Sequence, residues 1–149
     1  MAALQGQVAL GSTGLSAATA KTVIRVKVAT NQRAKILGYS FYFDGTSNSA
    51  QPVEIKIGRI SLDGTLTGAT ILPNEEELTE TFQTSVGLNA SAEPTYSNYL
   101  KTITVHPQLG YEYLAPLGQE ILVNGGGMLG FELTAPAAVN VRGYLMVEE

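Results

Sequence analysis

Cysteine and tryptophan are absent, histidine occurs once, and charge is sparse. Without cysteine there is no disulfide framework, no thiol nucleophile and no cysteine-bound zinc. A single histidine, His106, leaves a dedicated transition-metal site short of ligands. Charged residues make up 15% of the chain, against about 25% in a typical soluble domain. Hydrophobic residues make up 44%, so the surface falls largely to Thr, Ser, Asn, Gln and Gly. Such a surface suits a protein packed against neighbours. No stretch approaches the roughly 20 apolar residues of a membrane span. Residues 1–20 end on Ala18-Thr19-Ala20, which imitates a signal-peptide cleavage site. They lack a basic start, and Gln5, Gly6, Gln7, Gly11 and Gly14 interrupt any apolar run. The expectation is a protein made in a cytoplasm and kept there until it is incorporated elsewhere.

The 149 residues fit one domain. The net charge of −4 is unevenly spread: residues 1–59 carry seven basic and two acidic side chains, and residues 60–149 two basic and eleven acidic. Either the two halves neutralise each other within one fold, or opposite-signed faces meet between subunits. The acidic balance opposes approach to a phosphate backbone, so nucleic acid is not an expected partner.

Period-two alternation is the dominant pattern, and it places apolar side chains on one face of a strand. It runs through Ile24, Val26 and Val28; through Leu37, Tyr39, Phe41 and Phe43; and through Val53, Ile55 and Ile57. It returns at Ile103 and Val105, at Leu129, Phe131 and Leu133, and at Val139, Val141, Leu145 and Val147. Asp44-Gly45-Thr46, Asp63-Gly64-Thr65 and Asn124-Gly125-Gly126-Gly127 supply turns between them. With weaker segments at 65–72, 82–88 and 119–123, eight or nine strands are expected. That number predicts an all-β, two-sheet antiparallel sandwich of jelly-roll type over residues 21–149. Within 75–86, Leu78, Phe82 and Val86 share a helical spacing behind Asn74, while Thr79, Thr81 and Thr84 disfavour a helix; helix, edge strand and loop all stay open.

Residues 1–20 are small and lack periodicity, yet carry Leu4, Val8, Leu10 and Leu15. They are either a frayed terminus or an extended arm whose four apolar residues bury against a neighbouring subunit. The second reading places these residues at an interface.

Catalytic patterns do not hold. Gly125-Gly126-Gly127-Met128-Leu129-Gly130 matches a dinucleotide-binding spacing, but Phe131-Glu132-Leu133-Thr134 reads as a strand where a helix is needed, so a hairpin turn is expected. His106 has Asp44 and Asp63 as conceivable partners, but no serine lies in a nucleophile elbow. The acidic run at 75–80 lacks the alternating ligands of a calcium loop. No catalytic residue, metal or cofactor is assigned, and the chain is expected not to be an enzyme. Residues 93–118 concentrate Tyr96, Tyr99, Tyr111 and Tyr113 around three prolines. Tyrosine offers large contact area with a polar tip. These rings could cap the sandwich, meet another subunit or stack on a sugar.

The run LGYSFYFDGTSNSAQPVEIKIGRISLDGTLTG and the closing EILVNGGGMLGFELTAPAAVNVRGYLMVEE, around a Tyr/Pro-rich connection, resemble small jelly-roll virion proteins of tailed bacteriophages, capsid decoration (cement) proteins above all. The resemblance spans residues 20–149 and implies homotrimers on the capsid exterior, seated on a major capsid protein. An N-terminal arm would reach neighbouring subunits. The alternative is a carbohydrate- or receptor-binding module of a fibre or spike, working through the four tyrosines.

Overall fold

The alternating segments become strands that share one core. The computed structural model describes residues 3–76 and 79–149. Twelve strands run in chain order: β1 (Gln5–Leu15), β2 (Thr19–Lys27), β3 (Ala34–Phe43), β4 (Val53–Leu62), β5 (Thr65–Ala69) and β6 (Leu72–Pro73), then β7 (Ser85–Ala92), β8 (Thr95–Val105), β9 (Gly110–Leu114), β10 (Ile121–Val123), β11 (Met128–Ala135) and β12 (Val139–Glu148). The first sheet has the order β10-β3-β12-β1-β6, with β9 also paired to β3; the second has the order β5-β7-β2-β11-β4-β8. All the named strand pairs are antiparallel. The two sheets form a β-sandwich, as the alternation predicted.

Side chains at every second position fill the space between the sheets. Val8, Leu10, Ile36, Tyr39, Phe41, Leu145 and Val147 line the first sheet, and Ile24, Val26, Ile55, Ile57, Leu129, Phe131 and Leu133 the second. Tyr39 and Phe131 meet across the layers with ring centroids 5.1 Å apart, a distance at which tilted aromatic rings attract.

The N-terminal residues correct the arm expectation. Residues 5–15 are not a free arm but β1, paired to β12 from Gln5↔Glu148 to Leu15↔Val139. Val8, Leu10 and Leu15 lie in the domain's own core, and Leu4 is half-buried, exchanging backbone hydrogen bonds with Glu149 at 2.9 and 2.8 Å. The two-part division into arm and domain therefore disappears. The cause is the alternation of Gly6, Val8 and Leu10, which resumes at Thr13 and Leu15 after an irregularity between Leu10 and Thr13. Gly6 allows β6 to approach: a Cβ there would lie 2.7 Å from both Ile71 Cγ2 and the Leu72 carbonyl.

Among the described residues twelve strands replace the expected eight or nine, because the 65–72 segment splits into β5 and β6 and because β1 and β9 also pair. No helix forms among the described residues of 75–86; Leu78 lies outside them, and Ser85 and Val86 begin β7. The glycine run is a turn, closed by Gly127 N–H donating to the Asn124 carbonyl at 2.8 Å with Gly126 at φ 76°. It is not a hairpin, because it carries the chain from β10 in the first sheet to β11 in the second.

The two charge halves interleave. Arg25 and Lys27 pair with Asp63, and Lys35 pairs with Glu148, at 2.8 to 3.1 Å. The uneven charge is thus partly neutralised within the fold.

Candidate functional site

Tyr96 and Tyr99, on β8, lie against the outer face of the second sheet. A bulge in β2, with Ile24 opposite Phe131 but Thr22 opposite Glu132, leaves the Thr22 N–H outside the ladder. That N–H donates to Glu93 at 2.8 Å, while the Thr22 hydroxyl shares a 2.8 Å hydrogen bond with the Tyr96 hydroxyl. The Tyr96 ring crosses β4 and β11 over Gly58 and Gly130; a Cβ at Gly58 would lie 2.7 Å from Tyr96 Cδ1, and one at Gly130 2.3 Å from its hydroxyl. Tyr99 stacks on Tyr96 at 5.1 Å, donates to Glu132 at 3.0 Å, and has Lys56 Nζ 4.9 Å from its ring centroid. Burial raises the pKa of both phenols, Tyr99 to about 12. Tyr96 is therefore a covering element of the fold, and Tyr99 is the more exposed of the pair.

Tyr111 and Tyr113, on β9, face the other way. They pack inward on Tyr39 at 6.2 and 5.4 Å, and Lys101 of β8 places its ammonium 3.9 Å from the Tyr113 ring centroid. The four tyrosines thus divide between the outside of one sheet and the inside of the other. They make no shared aromatic platform. A short stretch of sequence holds them together, but the chain changes sheets between β8 and β9.

Most of the large exposed apolar residues are leucines, beside Tyr42 and Tyr99. Leu100, Leu109, Leu114, Leu117 and Leu122 are all exposed, and all belong to β8, β9, β10 or the connections between them. Leu117 is 98% exposed at the second position of the turn Pro116–Gln119, closed by a 2.8 Å hydrogen bond and with Gly118 at φ 84°. Leu114 covers Gly38, where a Cβ would lie 2.7 Å from Leu114 Cδ2 and 3.5 Å from Met146 Cε. Sequence reasoning does not single out these leucines, because exposure of an isolated leucine has no periodic signature.

The edge strand β8 is unsuited to pairing with another strand. Its register against β4 is interrupted at Leu100 and Ser97, and Lys101 turns in toward Tyr113. Bulges and inward charges are the usual devices that blunt an edge.

A pocket of about 460 Å³ opens at the end of the sandwich where β3 stops, lined by Asp44, Pro107, Pro136, Ala137, Ala138 and Val139 among others. Both Asp44 carboxylate oxygens accept hydrogen bonds from Asn140, at 2.9 Å from its backbone N–H and 2.8 Å from Nδ2. These bonds, with Arg142 nearby, hold the carboxyl below its ordinary pKa. His106 Nδ1 accepts the Gln108 N–H at 3.2 Å, closing a turn. Asp63 is taken by Arg25 and Lys27. Neither aspartate is hydrogen-bonded to the histidine among the described residues, and no cluster of metal-ligating side chains occurs among them.

No family model matches the chain, and no curated protein matches it.

Proposed function

We propose that this chain is a non-enzymatic structural subunit of a tailed-phage virion, a capsid decoration protein that assembles with copies of itself and sits on a major capsid protein at the shell exterior. The observation that carries this reading is the number of exposed leucines: five on β8, β9, β10 and their connections, with Leu62 on β4 and Leu72 on β6 besides. Large apolar side chains left exposed in an isolated chain are what subunit contacts cover. The sandwich, whose strand order fits a jelly roll, supports the same reading. So does the sparse surface charge. The trimer implied by the resemblance is part of the proposal. The role of an N-terminal arm is not, since β1 is consumed within the domain.

The mechanism is mechanical. A subunit that spans the boundary between neighbouring capsid proteins adds buried apolar area there, at about 25 cal/mol per Å². Simultaneous contacts by several linked copies multiply avidity and resist outward pressure from packaged genome. Immunogold electron microscopy of particles from a culture expressing the chain tests this directly. Label on the outer shell is expected, and shells stripped of the protein should rupture at lower temperature. Label confined to free protein, with bare particles, overturns the reading.

A further inference from the structure

Of the asparagines in the chain, Asn124 alone is followed by glycine. Asparagine is a thermolabile residue, and a following glycine puts no side chain between its amide carbon and the next backbone nitrogen. Packing keeps the glycine there. A Cβ at Gly125 would collide with the Thr30 carbonyl oxygen and lie 2.8 Å from that of Gln32, so a side chain would have to displace backbone.

The turn leaves both reacting groups free. Asn124 is exposed just beyond β10, and its side chain makes no hydrogen bond among the described residues. Asn74 and Asn140, by contrast, are held by Gln7 and Asp44. Gly126 N–H donates to the Val28 carbonyl at 3.0 Å and Gly127 N–H to the Asn124 carbonyl at 2.8 Å. Gly125 N–H donates to nothing among the described residues, so the nitrogen left free is the one next to the Asn124 amide. Three glycines bury no side chains, and opening the turn for ring closure breaks only backbone hydrogen bonds.

We propose that Asn124 is a site of spontaneous modification in the folded protein, converting through a cyclic imide to aspartate and isoaspartate. Gly125 N gives its proton to hydroxide and bonds to Asn124 Cγ. The Cγ–Nδ2 bond breaks, and Nδ2 leaves as ammonia with a proton from water. Water then opens the imide. Breaking the bond from Gly125 N to Cγ leaves aspartate; breaking the bond to the backbone carbonyl carbon leaves isoaspartate, whose main chain runs through Cβ and Cγ. The isoaspartyl form lengthens the main chain where it passes from one sheet to the other. It therefore displaces the turn from Val28, whose N–H and carbonyl bond Gly127 and Gly126, each at 3.0 Å. The reaction needs only water, and it does not depend on the assembly reading above.

The test incubates the folded full-length protein in mildly alkaline buffer and maps its peptides by mass spectrometry over time. The peptide containing residues 124 and 125 should shift to the mass of the acid before any other asparagine converts, and faster as pH rises. Part of the product should accept methyl groups from an isoaspartyl methyltransferase. The converted fraction should melt below fresh protein, while Asn124→Gln, which would need a larger and slower-forming ring, keeps its melting temperature on the same incubation. A peptide that keeps its amide while another asparagine converts overturns the assignment. So does conversion in urea but not in the folded chain. A converted fraction that carries isoaspartate yet melts as fresh protein overturns the loosening of the turn.

Discussion

The hydroxyl of Tyr96 reaches across β4 and β11 to meet the hydroxyl of Thr22 at 2.8 Å. Thr22 is fully buried, so the bond satisfies a group that water cannot reach. Tyr39, also fully buried, has a hydroxyl without a partner among the described residues. The two tyrosines therefore respond oppositely to the same change. Tyr96→Phe should cost about 1 kcal/mol, since a neutral hydrogen bond is lost and the Thr22 hydroxyl is left unpaired. Tyr39→Phe should be neutral or raise stability by about 1 kcal/mol, because it removes a desolvated hydroxyl. Urea unfolding of the two variants checks the difference in sign.

The close passage of Tyr96 over glycine gives a second prediction. A methyl group at Gly130 would lie 2.3 Å from the Tyr96 hydroxyl and 2.8 Å from Ile60 Cδ1. Gly130→Ala should cost roughly 1–3 kcal/mol, as inserted atoms do in a packed layer. Pairing it with Tyr96→Ala should recover part of that loss, and a thermal-melt double-mutant cycle reads the coupling.

The N-terminal strand makes the third. Because β1 lies between β12 and β6 and buries Val8, Leu10 and Leu15, removing residues 1–15 should abolish cooperative folding rather than free a tail. Leu10→Ala and Leu15→Ala should each cost about 2–5 kcal/mol. Calorimetry of the truncated chain decides: a sharp transition at the wild-type temperature would return these residues to the role of an arm.

Acid sensitivity arises from two carboxylates. Lys35 and Gln5 hydrogen-bond Glu148, and Asn140 hydrogen-bonds Asp44, and each holds the carboxyl below its ordinary pKa. A group whose folded pKa is lowered contributes stability that is fully present above the unfolded value, about 4, and lost as pH falls through the folded one. The melting temperature should therefore decline below about pH 4, and Asn140→Ala should flatten that decline. A wild-type melting temperature unchanged between neutral pH and pH 3 would contradict it.

Much of this architecture is legible in the sequence. The β2, β3, β4, β11 and β12 segments carry the alternation, since one face of each lies on the core, and the sandwich results from them. Irregularities at Val23 of β2 and Leu37 of β3 shift it locally, so that Ile36 is buried in place of the expected Leu37. β8 is legible only at Ile103 and Val105, because interruptions at Ser97 and Leu100 break its period and its other side chains are mostly exposed. β1 reads as an arm because Gly11 and Ser12 interrupt its alternation, and nothing in a strand's sequence states whether its apolar face meets its own domain or another's. The tyrosines sit close in sequence but on different sheets, a fact of topology rather than composition. The leucines at 114, 117 and 122 become conspicuous only once their exposure is known.

The measurement that bears most directly on assembly as this protein's role is the solution mass of the purified full-length chain, by light scattering over a wide concentration range. The account predicts a stable species at an integral multiple of 15.7 kDa. A single chain at every concentration, with no affinity for phage shells, would contradict it.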